Sequence, residues 1–323
     1  MRAQVPKPRV WACRQTPQNL LDFAFTQDKI KQKQKDFAIA WRKSSFVQPR
    51  TEHSRVVVNN TICFMKLNKI KRKLIQTPLA KLLKEIEAKF HQIKVLFNKS
   101  NSIKNNKTLY CISPYKTGTT FLAACYDQSI SQHEPMQYCT LKNIDNNFDT
   151  FFIKRLNALD LKLECSGFLS AYINNLAINK ITKDLSYVCI LRKPTDWINS
   201  VLNYWPNLKY LKFDYINTYF WKNKVGVDLL DFHNKSQKEK EEIIDKLIVF
   251  YFNFLEETKK LINIDYYELS ELEKNLIKID QQIKEKSIIN KSKTNKNKEK
   301  HFNYKNADLD LKYLEVIKNL KSK

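Results

Sequence analysis

The sequence predicts a three-layer α/β protein in which helices pack on both sides of a central parallel sheet. Short apolar segments typical of buried strands alternate with segments of helical periodicity from about residue 108 onward. Strands separated by helices favour parallel pairing with right-handed crossovers. Apolar residues make up 43% of the 323 positions, which is enough to bury a large core.

The predicted elements follow one another in a regular order. The strand candidates are "TLYCISP" (108–114), "LKLECSG" (161–167), "LSYVCILRKP" (185–194) and "INIDYYEL" (262–269). The helix candidates cover 119–130, 195–205 and 236–263. Each of the first and third strands runs directly into a helix, which is the arrangement expected of β–α units in a parallel sheet.

Composition divides the chain into three parts. Residues 1–64 hold six of the nine arginines and are predicted to be an atypical extension, either a translated upstream region or an unrelated segment, with Met65 as the natural start. Residues 65–106 are predicted to form a basic amphipathic helix and a polar linker. Residues 107–323 are predicted to be the folded domain, with a mobile basic loop near 288–300.

The basic helix at 66–97 has apolar residues at helical spacing and lysines on its other face. Two interpretations are open: the helix packs on the domain, or it makes peripheral contact with an anionic membrane. No apolar run is long enough to span a bilayer, and the N-terminus lacks the apolar core of a signal peptide. We therefore expect a cytoplasmic protein, with the membrane surface as an alternative location.

The formal net charge of +24 predicts a polyanionic or phosphorylated partner. No nucleic-acid-binding motif accompanies the charge, so we expect no specific nucleic-acid partner. The seven cysteines include no CxxC pair, which favours reduced thiols over a disulfide framework. No His, Cys and Asp cluster has the spacing of metal ligands, and no metal is expected.

The segment "CISPYKTGTTFLAACY" (111–126) predicts a phosphate-binding loop between a strand and a helix. The first N–H groups of a helix have no intrahelical partners and favour an anion. Gly118 lets the backbone approach that anion, Lys116 adds positive charge, and Thr119 and Thr120 add hydroxyls. An ordinary strand-to-helix turn is the alternative. The order of lysine and glycine differs from the loop of ATPases and GTPases, which argues against those classes.

A second motif, "LSYVCILRKPTDWINS" (185–200), also begins with a buried strand. Arg192 at the end of a strand is suited to a forked contact with a phosphate. Ser200 lies two turns into the following helix, and Pro194 suits the first turn of that helix. The alternative interpretation is a surface ion pair between Arg192 and Asp196.

Together these motifs resemble the sulfotransferases that use 3′-phosphoadenosine 5′-phosphosulfate (PAPS). The family's 5′-phosphosulfate loop has the pattern Tyr-Pro-Lys-Ser-Gly-Thr-Thr-Trp, and its 3′-phosphate site has the pattern Arg-x-Pro-x-Asp-x-x-x-Ser. The resemblance implies a P-loop-like sulfotransferase fold and PAPS as the sulfuryl donor, without a metal. The residues that it places on the donor are Lys116, Thr117, Gly118, Thr119, Thr120, Phe121, Arg192 and Ser200.

The chain departs from the family pattern at three loop positions. Thr117 replaces the serine, Phe121 replaces the tryptophan, and Tyr115 stands where the family has proline. The family's late Arg-Lys-Gly segment is also absent, so the basic residues 291–300 are not assigned to the nucleotide. The resemblance covers about residues 107–270.

The resemblance implies transfer of a sulfuryl group to an acceptor hydroxyl. Lys116 would stabilise the transferring group, and a His or Glu after the first helix would take the acceptor's proton. His133 and Glu134 in "SQHEPMQY" are both candidates, and Glu134 is preferred because Glu is typical of the carbohydrate-acting branches. The implied acceptor is a carbohydrate or glycolipid, and the aromatic stretch 203–221 either lines its pocket or packs in the core.

Two other functions are open at the level of sequence. One is a nucleotide kinase-like P-loop enzyme, which predicts magnesium-dependent binding of ATP. The other is a non-catalytic basic module that binds nucleic acid or an anionic membrane, which predicts salt-dependent binding without nucleotide specificity.

Overall fold

The computed structural model describes residues 78–98, 107–208, 215–289 and 302–321. All of them belong to one compact unit, Asn68–Lys323. The predictions for residues 1–64, for most of the linker, and for the basic residues 290–300 lie outside the described residues.

Helices and strands alternate along the chain as the sequence predicts. The α-helices are α1 (Pro78–Leu96), α2 (Thr119–Ala124), α3 (Gln137–Asn143), α4 (Phe148–Leu159), α5 (Ile173–Ile178), α6 (Pro194–Leu202), α7 (Gln237–Thr258), α8 (Leu272–Ile283) and α9 (Ala307–Lys321). The strands are β1 (Leu109–Cys111), β2 (Ser131–His133), β3 (Leu163–Cys165), β4 (Ser186–Leu191) and β5 (Ile264–Glu268). A π-helix spans Ile216–Val225, and short 3₁₀ turns span Gly167–Ala171, Phe232–Asn234 and Leu269–Glu271.

The five strands form one sheet in the order β2–β3–β1–β4–β5, and every neighbouring pair is parallel. The chain leaves the central strand β1 toward β2 and β3 on one side, and then returns to the other side for β4 and β5. The predicted α/β class and parallel sheet are therefore confirmed. In such a sheet a ligand site is expected where the strand order reverses, at the carboxyl ends of the strands.

Both faces of the sheet are covered, because side chains alternate along each strand. Tyr110, Ile112 and Tyr187 face a core shared with α4, α5, α6, α7 and α9. Leu109, Cys111 and Val188 face a second core formed with α2 and α8. The five cysteines within the described residues are buried and are not joined in disulfides.

Local signals explain where several helices begin. Asn147 caps α4 by accepting a hydrogen bond from the Thr150 N–H. Pro194 occupies the first turn of α6, where its missing N–H costs nothing. Ser236 and Glu239 form a reciprocal capping box at the start of α7.

Two elements differ from the prediction near the first loop. The helix predicted over 119–130 ends at Ala124, since the Asp127 carboxylate accepts hydrogen bonds from Ser129 and stabilises a turn instead. The edge strand β2 was not predicted. Of its three residues only Ser131 is buried, so it lacks the apolar run that marks a buried strand.

The aromatic stretch 203–221 packs mainly in the core where it is described. Trp205, Phe220 and Trp221 are buried, and the first two make edge-to-face contacts with Tyr115. Residues 209–214 lie outside the described residues. Among the helices that are described, none combines the length and apolar character needed to cross a bilayer.

Candidate functional site

The loop after β1 makes two turns through left-handed backbone before α2 begins. Lys116 has φ 71°, and Gly118 has φ 114° at the position just before the helix. A Cβ at Gly118 would lie 2.5 Å from Leu269 Cδ1, which belongs to the turn after β5. Positive φ therefore favours glycine here, and close packing against the Leu269 side chain adds to that preference, whereas the sequence suggested a requirement for open space around an anion.

The three loop threonines have different environments. The Thr117 hydroxyl is buried and donates a hydrogen bond to the Pro114 carbonyl at 2.7 Å, so it closes the turn. The Thr119 and Thr120 hydroxyls lie 3.2 and 3.1 Å from His133 Nε2. The start of α2 is therefore joined to the end of β2. Because α2 has only six residues, few peptide dipoles align behind its first N–H groups.

Two cations come together where β1 and β4 end. Arg192 Nη1 donates a hydrogen bond of 2.7 Å to the Lys116 carbonyl, although the residues are 76 positions apart. Lys116 Nζ lies 3.5 Å from the centroid of the Tyr204 ring, a cation–π contact. Tyr251 exchanges hydrogen bonds with the Arg192 backbone and holds the end of β4.

Neither cation belongs to any of the ion pairs found within the described residues. The Arg192–Asp196 pair considered at the sequence level is therefore absent from this part of the chain. Burial, followed by the charge of Arg192, lowers the pKa of Lys116 to about 8. Burial also lowers the pKa of Arg192. The nearby charge of Asp196 opposes that shift, although Asp196 lies beyond ion-pair distance. Partly buried positive charge with no carboxylate at ion-pair distance favours binding of an anion.

Glu134 lies immediately after β2 and is held from two sides. One carboxylate oxygen accepts a hydrogen bond of 2.7 Å from the Gly167 N–H, and the other accepts one of 3.1 Å from Gln137. The side chain is only 9% exposed. Burial raises the pKa of Glu134 to about 8, which places its proton exchange near neutral pH, as a general base requires.

His133 lies beside Glu134, with 3.7 Å between its Nε2 and the nearer carboxylate oxygen. Burial, followed by the charge of Lys116, lowers the pKa of His133 to about 4. The ring is therefore neutral at neutral pH. A group with so low a pKa is a weaker proton acceptor than Glu134, and its contacts to Thr119 and Thr120 suit it to positioning the loop.

Backbone strain is concentrated at this place. Lys116, Glu134 and Met136 are three of the six non-glycine residues with positive φ in the described part of the chain. Such residues persist only where surrounding contacts hold them, and they cluster at active sites. Together, Lys116, Thr119, Thr120, His133, Glu134 and Arg192 form what we call the candidate site.

A buried ion pair supports the segment that carries Glu134. Arg155 is fully buried and makes two hydrogen bonds to Glu164, of 2.8 and 2.7 Å. It also donates to the Pro135 carbonyl at 2.8 Å and to the Thr140 hydroxyl at 2.7 Å. Arg155 therefore ties β3 and α3 to the backbone next to Glu134.

Two predicted donor residues are not joined to this cluster by contacts. Phe121 packs, partly buried, against the core formed with α2 and α8. Ser200 is partly buried on α6, and its hydroxyl takes part in no hydrogen bond among the described residues. The remaining predicted residues lie together at the carboxyl ends of β1, β2 and β4.

Sequence reasoning missed four residues that shape the site: Tyr204, Gln137, Arg155 and Tyr251. Tyr204 lies in the aromatic stretch, and that stretch was the only available signal for it. The isolated arginine at 155 was another signal, since arginine is rare beyond residue 65. Contacts of Gln137 and Tyr251 depend on tertiary packing and have no signature in the sequence.

Outside the candidate site, the described residues form two surface cavities. The cavities, of about 420 and 330 Å³, lie beside β5, and Asp265 and Tyr266 line both. Neither is lined by a residue of the candidate site. Within the described residues, no group of three or more His, Cys, Asp or Glu side chains is arranged to hold a metal ion.

No protein-family model, no curated protein and no solved structure matches this chain.

Proposed function

We propose that this protein is a PAPS-dependent sulfotransferase with a P-loop-like sulfotransferase domain. Its reaction would move a sulfuryl group from PAPS to an acceptor hydroxyl and release 3′,5′-ADP. The bond from sulfur to the 5′-phosphate oxygen breaks, a bond from sulfur to the acceptor oxygen forms, and the hydroxyl proton passes to a base.

One observation carries the proposal. The two sequence motifs, 76 positions apart, meet through the hydrogen bond from Arg192 to the Lys116 carbonyl. Neither Lys116 nor Arg192 has a carboxylate at ion-pair distance among the described residues. Two cations at the switch point of a parallel sheet suit a ligand that carries phosphates at both ends.

The donor residues have distinct roles in this proposal. Lys116 stabilises the charge that develops on the transferring group and on the leaving phosphate. The loop backbone at Gly118 and the hydroxyls of Thr119 and Thr120 hold the 5′-phosphosulfate. Arg192 and Ser200 hold the 3′-phosphate. Thr117 and Phe121 act through the loop conformation, because one is buried in the turn and the other packs against the core.

Glu134 is the proposed base. Its carboxylate is fixed by Gly167 and Gln137, and its raised pKa of about 8 suits proton transfer near neutral pH. His133 orients the hydroxyls of Thr119 and Thr120. The proposed acceptor is a hydroxyl of a carbohydrate or glycolipid, which rests on the resemblance of the base segment to carbohydrate-acting sulfotransferases.

Transfer of label from PAPS to a panel of carbohydrates, glycolipids and phenols tests the reaction. We expect label to appear on a carbohydrate or glycolipid acceptor, and Lys116→Ala and Glu134→Gln to abolish transfer. Lys193→Ala is the matched control, because Lys193 is exposed next to Arg192 and outside the candidate site. Absence of transfer to every acceptor, together with magnesium-dependent ATP turnover, would instead indicate a kinase-like enzyme.

A further inference from the structure

One side of helix α1 packs against the domain. Ala88 and Val95 are buried against Met136 and Cys139, at the start of α3. The partly buried His91 and Gln92 lie on neighbouring turns, and Gln92 donates a hydrogen bond to Asn143. A small apolar cluster, with polar contacts beside it, therefore makes the attachment.

The other side of α1 exposes large apolar side chains. Leu82, Phe90, Ile93 and Leu96 are 50, 66, 48 and 58% exposed, and Phe97, just after the helix, is 79% exposed. Leu82, Phe90, Ile93 and Phe97 recur at intervals of three, four and eight residues, which places them on one stripe. We call these four residues, together with the adjacent Leu96, the α1 stripe.

The α1 stripe differs from the other exposed apolar residues of the described chain. Ile178, Val249, Ile262 and Ile277 are also more than half exposed, but they lie apart in the chain. The other groups are pairs, Leu311 with Leu314 on α9 and Ile288 with Ile289, and neither contains an aromatic residue. Single exposed apolar residues are normal on a protein surface, whereas a contiguous apolar patch marks an interaction site. The stripe contains two phenylalanines, which amphipathic helices use to enter the headgroup region of a bilayer.

Charge decides which occupant fits the stripe. The helix carries four lysines and two glutamates, with Lys89, Lys94 and Glu87 exposed beside the stripe, and the preceding residues 66–77 carry five basic and no acidic residues. A second copy of this chain would bring a further formal charge of +24 to the surface. The N-terminal residues 1–64 are also basic, with twelve basic and four acidic residues. Only an occupant of opposite charge complements this face.

We propose that the α1 stripe docks on an anionic lipid surface. The helix lies in the plane of the interface, its apolar stripe enters the headgroup region, and the flanking lysines attract the anionic lipid. This inference does not rest on the proposed reaction, because it concerns binding alone.

Vesicle co-sedimentation of the full-length chain tests it. We expect binding to phosphatidylcholine vesicles that contain phosphatidylserine, weaker binding to pure phosphatidylcholine, and loss of binding as salt rises. The double variant Phe90→Ser/Phe97→Ser should bind at least about tenfold more weakly. Ile262→Ser/Ile277→Ser is the matched control: these residues are 72 and 64% exposed on other elements, so this variant should bind like wild type.

Three results would overturn the proposal. Failure of the full-length chain to sediment with the anionic vesicles would show that the stripe does not dock on them. Unchanged binding by the phenylalanine variant would show that charge alone acts. A wild-type dimer in analytical ultracentrifugation that the same variant dissociates, without vesicle binding, would assign the stripe to a second copy.

Discussion

At the scale of single residues, Gly118 combines two constraints that can be separated. Its φ of 114° disfavours any side chain, and an added Cβ would collide with Leu269 Cδ1. Leu269 Cδ1 is the end of a flexible side chain. A smaller residue at position 269 would therefore relieve the collision but leave the backbone strain at Gly118. Glycine at 118 is therefore required first by the backbone conformation and second by the contact with the Leu269 side chain in the turn after β5.

We predict that Gly118→Ala destabilises the fold more than Gly226→Ala. Gly226 also has positive φ, 79°, but its Cβ would meet only Lys246, at 3.9 Å. Backbone strain alone should cost about 1–3 kcal/mol in each variant. Urea unfolding would measure both losses. Adding Leu269→Ala should recover part of the loss in Gly118→Ala and none in Gly226→Ala; equal losses in the two single variants would contradict the packing argument.

Arg192 is predicted to distinguish nucleotides by their 3′-phosphate. A charge-assisted hydrogen bond contributes about 1.5–3 kcal/mol, so Arg192→Ala should weaken 3′,5′-ADP binding by about 10- to 100-fold. Binding of 5′-AMP, which lacks that phosphate, should change much less. Titration calorimetry measures both affinities, with Lys193→Ala as the control for a lost charge. Equal weakening for both nucleotides would remove the assigned role.

The pH dependence follows from two shifted pKa values. Glu134 must be ionised to accept a proton, and burial raises its pKa to about 8, so activity should rise with pH toward that value. Lys116 must be protonated to stabilise an anion, and its pKa is lowered to about 8, so activity should fall above it. The profile of kcat/KM should therefore be bell-shaped with a maximum near pH 8.

Lys116→Arg tests which limb belongs to which group. A guanidinium stays charged at alkaline pH, so the falling limb should move to higher pH while the rising limb stays in place. An unchanged falling limb in this variant would show that another group controls it.

At the scale of elements, the connection from β2 to α3 is held by the buried pair of Arg155 and Glu164. Arg155→Ala leaves the buried Glu164 carboxylate unpaired, which should lower the free energy of unfolding by about 3–5 kcal/mol. Arg155→Met/Glu164→Leu removes both charges and should be less destabilising than Arg155→Met or Glu164→Leu alone. Chemical denaturation of these two single variants and the double variant provides the comparison. A double variant as unstable as the sum of the single ones would show that the two residues act independently.

Elements with a strong apolar or turn signal could be predicted, and those that depend on tertiary contacts could not. The strands β1, β3 and β4 are buried and lie in segments rich in apolar residues. In β5 only Tyr267 is buried, and its isoleucine and tyrosines are the signal that predicts a strand. The edge strand β2 is mostly polar, and its pairing with β3 sets it in place. The early end of α2 depends on the Asp127 turn, which competes with a helix of otherwise good propensity.

At the scale of the whole molecule, the order of the strands assembles the candidate site. Because β1 is central and β4 is its neighbour, the loops that follow these two strands meet. The sequence could name Lys116 and Arg192 from their motifs, but their hydrogen bond, the Tyr204 contact and the raised pKa of Glu134 arise only when distant elements pack. The roles of those residues stay predictions until a nucleotide is bound.

Selective binding of a nucleotide tests the central claim most directly. The thermal midpoint of the full-length protein should rise most with 3′,5′-ADP, because only this ligand carries both phosphates that the site is proposed to hold. The rise should be much smaller with 5′-AMP and with ATP supplied together with magnesium. Equal shifts with all three ligands would indicate a basic surface without nucleotide specificity. A larger shift with magnesium and ATP would contradict the sulfotransferase assignment.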